Sequence, residues 1–437
     1  MKFNINLSSL ILLPFILLFI FAFRTRQISD EYNQISELNP NEKLVEDAID
    51  PPCENLQERN YISKLKIETP QSRKWQFNII KGYIDNLSEF DNVSIKDKYK
   101  KRFDAFIYYK TNEKTCKNKS RIRISGDIRD HIKLVDGTPV SSLDVTMKTG
   151  NINGIRRFKL FLPRTRGGDN EVFIANLFSE FGLISPRTMF MDVEINNFKH
   201  KMIFQEKLAK ELVEFNKLRE SSLIKANESL MWQLRRKTDK SSIFNSYVYP
   251  SIINNKWLSK GEENLKIGIK ALNLFSTALN DASKDYIHYD IPLNISLLNN
   301  TNKNHKIFKD HSFFDLLSIA SRSLHGHFKH NLRYYYDPFH DSLRPVYYDG
   351  GSDILDSRKL PFIEFLEYEG KTNNDDKHLA MLTINNDNYD FPDAIKRINN
   401  LNIISFKNKL KKSGLIISEE QISNIKEKLL DNINYLY

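Results

Sequence analysis

Cysteine is almost absent from this sequence, since Cys53 and Cys116 are the only two in a chain of 437 residues. Neither lies in a C-x-x-C pair or beside a histidine-rich cluster, which excludes a cysteine-based metal site. In an oxidising compartment the two residues can form one disulfide that closes a long loop. Two unrelated thiols are an equal alternative, so the sequence leaves the disulfide state open.

A concentrated basic segment is also missing, although the formal net charge is +10. The lysines are scattered among Asn and Ile, so no basic arm or helix is available to follow a nucleic-acid backbone. We therefore expect no nucleic-acid partner, and expect binding of phosphorylated or acidic small molecules instead. Hydrophobic residues form 40% of the chain and aromatic residues 12%, as in a folded protein of one large or two medium domains.

The N-terminus contains an apolar run, Leu7–Phe23, that carries no charge and is followed by Arg24 and Arg26. Its length is at the short limit for a membrane-spanning helix, and no A-x-A-like cleavage signal follows it. We therefore expect residues 1–25 to be an uncleaved signal anchor of a single-pass membrane protein, with the globular part exported. Secretion after signal cleavage is the alternative. Residues 26–55 are polar and end in two prolines, which indicates a linker.

The first half of the chain is rich in predicted strands, and its globular pattern begins at about Trp75. A helix is predicted to begin at Asp169 or Asn170 and to end before Gly182. A hairpin is predicted around the turn Asn196-Asn197. Alternating apolar and polar residues predict these strands: Phe103–Tyr109, Arg121–Ser125, Leu143–Met147, Arg157–Leu162, Arg187–Ile195 and Lys201–Glu206.

The second half is predicted to be mainly helical, with helices at Leu208–Leu234, Leu265–Asn280 and Phe313–Ser323. A capping box at Ser418–Gln421 opens one more helix. This order predicts a two-lobed α+β protein. We assign residues 56–215 to a strand-rich lobe, residues 216–310 to a helical, Asn-rich connection, and residues 311–437 to a helical lobe with a hairpin.

That hairpin is predicted from two strand-like runs, Leu332–Tyr336 and Leu343–Tyr348, which flank a turn-rich segment. If the runs pair, Asn331 and Asp349 lie at the same end. Their oxygens suit Mg²⁺, which takes one or two protein groups together with substrate phosphates. An ordinary hairpin with polar ends is the alternative.

Five segments together resemble the CotH-type spore-coat protein kinase family. They are RIRISGD (121–127), FKLFLP (158–163), NEVFIANLFSEFGLISPRTMFMDVEINN (170–197), KMIFQEKL (201–208) and HNLRYYYDP…RPVYYDGGSD (330–353). The resemblance covers roughly residues 115 to 360 in the family's order. It implies an atypical protein-kinase-like fold, in which residues 56–215 are the nucleotide-binding lobe and residues 311–437 carry the metal-binding hairpin. It also implies the transfer of phosphate from ATP to a protein in the presence of Mg²⁺ or Mn²⁺.

The resemblance also implies roles for individual residues. Lys159 would contact phosphate, and Glu206 would pair with that lysine or approach the nucleotide. Mg²⁺ would be bound by Asn331 and Asp349, with Asp353 as a displaced second carboxylate. The residues expected over the nucleotide are Arg121, Arg123 and Gly126.

One departure concerns the catalytic acid that active family members carry just before the Asn. No Asp or Glu occurs between Asp315 and Asp337 in this chain. The segment offers histidines instead, and a histidine can act as a general base near neutral pH. His327 is our first candidate and His330 our second, and His325 is nearby. The alternative function is an inactive protein of the same fold, a pseudokinase, that serves as a scaffold or binding module in the cell envelope.

Overall fold

The computed structural model describes residues 62–87, 95–110, 115–135, 138–238, 248–285, 292–356 and 389–437. All of them belong to one compact unit, Pro52–Tyr437. The strands of the first half are β1 (Lys64–Glu68), β2 (Phe103–Lys110), β3 (Thr115–Ile124), β4 (Ile132–Val135), β5 (Thr138–Ser141), β6 (Leu143–Met147), β7 (Arg157–Phe161), β8 (Thr188–Ile195) and β9 (Phe198–Glu206).

Seven of these strands form a closed barrel in the order β1-β2-β3-β6-β7-β9-β8, while β4 and β5 form a separate two-stranded sheet. The barrel closes because β1 pairs antiparallel with β2 on one side and parallel with β8 on the other. Alternation sorts the side chains, so that Ile122 and Ile124 of β3 are buried while Arg121 points outward. The interior is a continuous apolar core that includes Ile67, Ile107, Ile122, Val145, Phe158, Leu160 and Phe204.

Part of the outer wall of the barrel is also buried. Phe161, Ile203 and Phe190 form one row across β7, β9 and β8. These side chains join a second core together with the helices of the C-terminal half. The helices are α1 (Ser72–Leu87), α2 (Asp169–Glu180), α3 (Lys210–Phe215), α4 (Ser229–Thr238), α5 (Asn255–Leu258), α6 (Glu262–Asp285), α7 (Ile295–Leu298), α8 (Lys306–Ala320), α9 (Phe391–Asn399), α10 (Ile403–Lys412) and α11 (Glu419–Leu436).

A four-stranded antiparallel sheet follows the barrel in the chain. Its strands are β10 (Leu223–Asn227), β11 (Tyr249–Ile252), β12 (Arg333–Asp337) and β13 (Ser342–Pro345), in the order β11-β10-β12-β13. One face packs on α6 through Ile224, Tyr334 and Phe275. The other face packs through Leu223 and Tyr335 against residues that follow α2 and β9.

The predicted two-lobed, protein-kinase-like α+β architecture is wrong, because the strands of the first half close into a barrel and two smaller sheets accompany it. The alternating patterns located most of the strands but not their partners. The pairing of β1 with β8 is the contact that closes the sheet. Strand β1 lies before Trp75, where the sequence pattern placed the start of the globular region.

Several local predictions are confirmed. The hairpin of β8 and β9 turns at Asn196 and Asn197, both with positive φ, and β12 pairs with β13. The capping box of Ser418 and Gln421 opens α11. The single helix predicted over Leu208–Leu234 is wrong, because β10 separates α3 from α4 there.

The predicted anchor Leu7–Phe23 and the linker 26–55 lie outside the described residues. Within the described ranges, each helix is too short or too polar to cross a bilayer. Cys116 is fully buried on β3 and is disulfide-bonded. Cys53, the other cysteine of the sequence, lies outside the described residues.

Candidate functional site

A polar row crosses the outer wall of the barrel beside its buried apolar row. Strand pairing aligns Arg123, Asp144, Lys159 and Gln205 on β3, β6, β7 and β9. Asp144 is 1% exposed and accepts hydrogen bonds from Arg123 at 3.0 Å and from Lys207 at 2.9 Å. Burial raises the pKa of Asp144, but Lys207 and Arg123 outweigh it and lower this pKa to about 2. The row therefore carries more positive than negative charge.

Tyr348 lies against Lys159 of this row and is surrounded by cations. Lys159 Nζ donates a hydrogen bond of 3.3 Å to the Tyr348 hydroxyl. The guanidinium carbons of Arg166 and Arg333 lie 4.7 and 4.5 Å from the centre of the Tyr348 ring. Burial raises the pKa of Tyr348, but Lys159, Arg166 and Arg333 together lower it to about 8. Three cations from separate parts of the chain thus meet at one side chain.

Asp349, the next residue, forms an ion pair with Arg166. The Arg166 side chain is 5% exposed and lies at the end of the turn Pro163–Arg166. Burial raises the pKa of Asp349, but Arg166, His325 and Lys159 bring it below its ordinary value, so the carboxylate is ionised at neutral pH. Its backbone has φ of 51°, a left-handed conformation that is uncommon outside glycine and often marks a functional position.

Glu171 lies in the first turn of α2, behind this pair. It accepts hydrogen bonds from the Tyr347 hydroxyl at 2.8 Å and from Gln205 Nε2 at 2.6 Å. Burial raises the pKa of Glu171 to about 6, although Arg166 acts against it. Glu171 therefore connects Gln205 of the polar row with Tyr347, which is two residues before Asp349.

Asn331 and Asp349 are linked through His325. The Asn331 amide donates to the His325 carbonyl at 2.9 Å, and the His325 backbone N–H donates to the Gly350 carbonyl at 3.1 Å. His325 Nε2 lies 3.8 Å from the Asp349 carboxylate. The hairpin thus brings the two predicted metal ligands to the same end, as the sequence pattern indicates.

The two histidine candidates lie in different environments. His327 is 5% exposed, and its ring packs against Phe314 of α8. His330 is near the site, because its ring centre lies 6.1 Å from that of His325, whose Nε2 is 3.8 Å from the Asp349 carboxylate. Burial, aided by His325 and Arg333, lowers the pKa of His330 to about 4, so its imidazole is neutral at pH 7. The geometry favours His330, our second candidate, over His327.

Glu206 does not form the predicted pair with Lys159. Its carboxylate is fully buried and binds Arg187 in a forked ion pair of 2.7 and 2.8 Å. The side chain of Lys159 reaches Tyr348 instead. Neighbouring residues of a strand point to opposite faces, and Glu206 pairs in register with Phe158 rather than with Lys159.

Glu206→Gln is therefore expected to lower stability without changing nucleotide affinity. Removing one partner of a buried ion pair leaves Arg187 uncompensated and should cost about 3 kcal/mol in the free energy of unfolding. Denaturant unfolding and ATP titration of the same variant measure the two effects. If the variant is stable but loses ATP binding, Glu206 has the nucleotide role that the family resemblance implies.

Three further predicted residues have other contacts. Arg121 is half-exposed and pairs with Asp104 at 3.2 Å. Gly126 makes room for His131, because a Cβ at this position would lie 2.0 Å from the His131 ring. Asp353 lies 3.6 Å from Arg322 rather than beside Asp349 as a second ligand. Of the residues expected over the nucleotide, Arg123 is the one in the polar row.

Gly351 is required by close packing of the loop after Asp349. Its φ is +65°, and a Cβ there would lie 2.8 Å from the His325 Cβ. We expect Gly351→Ala to cost about 1–3 kcal/mol in unfolding free energy, because a strained backbone and a steric overlap coincide. Gly261→Ala is the control, since a Cβ at Gly261 meets nothing within 4 Å. Equal unfolding midpoints for the two variants would show that this loop is loosely packed.

Sequence reasoning missed Arg166, Glu171 and Tyr348. Arg166 lies in a loop that gave no secondary-structure pattern, and Glu171 matched the acidic first turn expected of any helix. Tyr348 looked like an apolar strand residue. The available signal was the density of charge in RTRGGDNE, which leads into α2 and ends at its buried residue Glu171.

The donor set suits a metal held mainly by substrate. Asp349 offers a carboxylate and Asn331 an amide oxygen, which fits Mg²⁺ when phosphate supplies further ligands. Within the described ranges, no three acidic, histidine or cysteine side chains form a metal-binding group of their own. No protein-family model matches the chain, and neither does any curated protein.

Proposed function

We propose that this chain is an exported or membrane-anchored phosphotransferase that transfers the γ-phosphate of ATP to a protein hydroxyl, with Mg²⁺ or Mn²⁺ as cofactor. One observation carries the proposal. Lys159 of the barrel and Asp349 after β13 meet at Tyr348, together with Arg166. Clustered cations beside an ionised carboxylate suit a metal-bound triphosphate.

Each residue has a distinct part in this proposal. Lys159 and Arg166 bind phosphate oxygens, and Arg123 extends the cationic row along the barrel. Asp349 and Asn331 would hold the metal, which would neutralise charge on the transferred group. Phosphoryl transfer depends chiefly on positioning and charge neutralisation, which a preformed cluster supplies.

The reaction joins the acceptor oxygen to the γ-phosphorus and breaks the bond from that phosphorus to the β–γ bridging oxygen. ADP leaves with the electron pair of that bond. The acceptor hydroxyl loses its proton, and we assign this proton to His330 because its neutral imidazole lies beside His325, which is 3.8 Å from the Asp349 carboxylate.

The full-length chain tests the proposal directly. ATP with Mg²⁺ is expected to raise its thermal unfolding midpoint, because a ligand at 100 times its Kd stabilises the native state by about 2.7 kcal/mol. Labelled γ-phosphate should appear on the chain itself or on generic protein acceptors. Absence of any shift with millimolar ATP and metal would refute the proposal.

A second candidate function is an inactive nucleotide-binding scaffold of the cell envelope. The absence of any Asp or Glu between Asp315 and Asp337 favours it. The two candidates differ in one result, since a scaffold would give the thermal shift without phosphate transfer.

His330→Ala is expected to lower turnover by about 10²-fold or more while ATP affinity stays within twofold, as for loss of a general base. His327→Ala is the matched control, because this buried histidine contacts Phe314 and should affect stability alone. Turnover is measured by transfer of labelled phosphate, and affinity by titration. A larger loss of turnover in His327→Ala would assign the role to our first candidate instead.

A further inference from the structure

Two cations lie directly opposite each other on the four-stranded sheet. Lys225 of β10 pairs in register with Arg333 of β12, so both side chains are on the same face. Like charges opposed across antiparallel strands destabilise a sheet. In the part of the chain that the structure describes, neither has a carboxylate within ion-pair distance. Glu228 is close enough to influence both, but it accepts a hydrogen bond of 2.8 Å from the Trp232 indole.

Arg333 is held in place rather than free to move away from Lys225. Its Nη1 donates to the His330 carbonyl at 3.0 Å and to the Leu332 carbonyl at 2.8 Å. Its guanidinium also stacks at 4.5 Å from the centre of the Tyr348 ring. Burial, followed by the charge of Arg333, lowers the pKa of Lys225. Because Arg333 is held beside Lys225, an anion bound between the two cations would relieve their repulsion.

The cation pair is next to the proposed transfer site, but it belongs to the four-stranded sheet rather than to the barrel. Lys159 approaches Tyr348 from the barrel, and Arg333 approaches it from the sheet. The same face of the sheet carries Leu223 and Tyr335, which pack on residues that follow α2 and β9. An anion between Lys225 and Arg333 would therefore lie beside the phosphate that Lys159 binds.

We propose that Lys225 and Arg333 bind an anionic side chain of the acceptor protein. The preferred acceptor is then a serine or threonine with an aspartate, glutamate or phosphorylated residue close by in its sequence. This inference rests on the proposed phosphotransfer, because it names the substrate class of that reaction. The bonds formed and broken are those of the proposed phosphoryl transfer, and the anionic side chain of the acceptor is unchanged by the reaction.

A matched set of serine peptides tests the inference, with the neighbouring residue being aspartate, phosphoserine, asparagine or lysine. With the full-length chain, we expect the aspartate and phosphoserine peptides to have a KM at least about tenfold lower than the asparagine peptide. Lys225→Met should remove this preference and leave the KM for ATP within twofold. Lys260→Met is the control, because Lys260 is exposed and pairs with Glu220. The comparison of aspartate with phosphoserine shows which anion is preferred.

The possible outcomes separate this inference from the proposed function. An equal loss of ATP affinity in Lys225→Met would place the cation pair in the nucleotide site and overturn the inference. Equal KM values for the aspartate and asparagine peptides would also overturn it. If the chain transfers no phosphate at all, peptide affinity measured by fluorescence anisotropy still tests whether Lys225 and Arg333 bind an anionic side chain. Tighter binding of the acidic peptides, lost in Lys225→Met, would support the anion site although the proposed function had failed.

Discussion

Lys159→Met is expected to abolish the stabilisation by ATP with Mg²⁺ and to lower phosphate transfer by about 10²–10³-fold, as when one preorganised electrostatic group is removed. The reason is the position of Lys159, which donates to Tyr348 rather than pairing with Glu206, and whose charge helps to lower the pKa of Asp349. Thermal unfolding with and without ATP measures the first effect, and transfer of labelled phosphate measures the second. Each variant is compared with its own ligand-free midpoint.

Lys119→Met is the matched control for this substitution. Lys119 is an exposed lysine of β3 on the same barrel, so its removal changes the net charge equally but not the site. Asp349→Asn should resemble Lys159→Met in its loss of the ATP effect, whereas Asp353→Asn should retain it because Asp353 faces Arg322. Retention of the full ATP shift in Lys159→Met would exclude this lysine from the nucleotide site.

Arg166→Met is expected to lower the free energy of unfolding by about 3–5 kcal/mol, because it leaves the Asp349 carboxylate without its principal partner. Arg166 is 5% exposed at its side chain, and it contacts the rings of Phe161 and Tyr348 as well as Asp349. Arg164→Met, an exposed change in the same turn, should cost less than about 0.5 kcal/mol. Denaturant unfolding measures both variants.

The pH dependence of this loss provides a separate check. The pKa of Asp349 is lowered from its ordinary value of 3.8 in the folded protein, so its pairing adds stability above pH 3.8. That contribution is lost as the pH falls through the lower folded-state pKa. Without Arg166, burial raises the pKa of Asp349 in the folded variant. The difference in unfolding free energy between wild type and Arg166→Met should therefore be largest at neutral pH and shrink as acid protonates this carboxylate. If this difference in unfolding free energy were the same at pH 3 as at pH 7, the lost stability would come from the packing of Arg166 rather than from its charge.

The sequence predicted local structure well where one residue pattern decides it. Alternation located β2, β6 and β7, and the Asn196-Asn197 turn located the β8–β9 hairpin. It did not predict the barrel, because a period of two says which face a side chain takes but not which strand lies beside it. The parallel pairing of β1 with β8 joins segments more than a hundred residues apart, and no local pattern records it.

The candidate site was predicted in part for the same reason. Asn331 and Asp349 flank one hairpin, so local pairing suffices to bring them to the same end. The pairing of Lys159 with Glu206 could not be tested from the sequence, because it depends on the register between β7 and β9. Arg166 and Tyr348 meet Lys159 only through the tertiary fold, which explains why sequence patterns did not identify them.

The most direct measurement is a crystal structure of the full-length chain with Mg²⁺ and a non-hydrolysable ATP analogue. We expect the triphosphate to lie between the Lys159 ammonium and the Asp349 carboxylate, with the metal bound to Asp349 and Arg166 on a phosphate oxygen. A nucleotide bound elsewhere on the chain, with Lys159 and Asp349 contacting none of its phosphates, would contradict the proposed site.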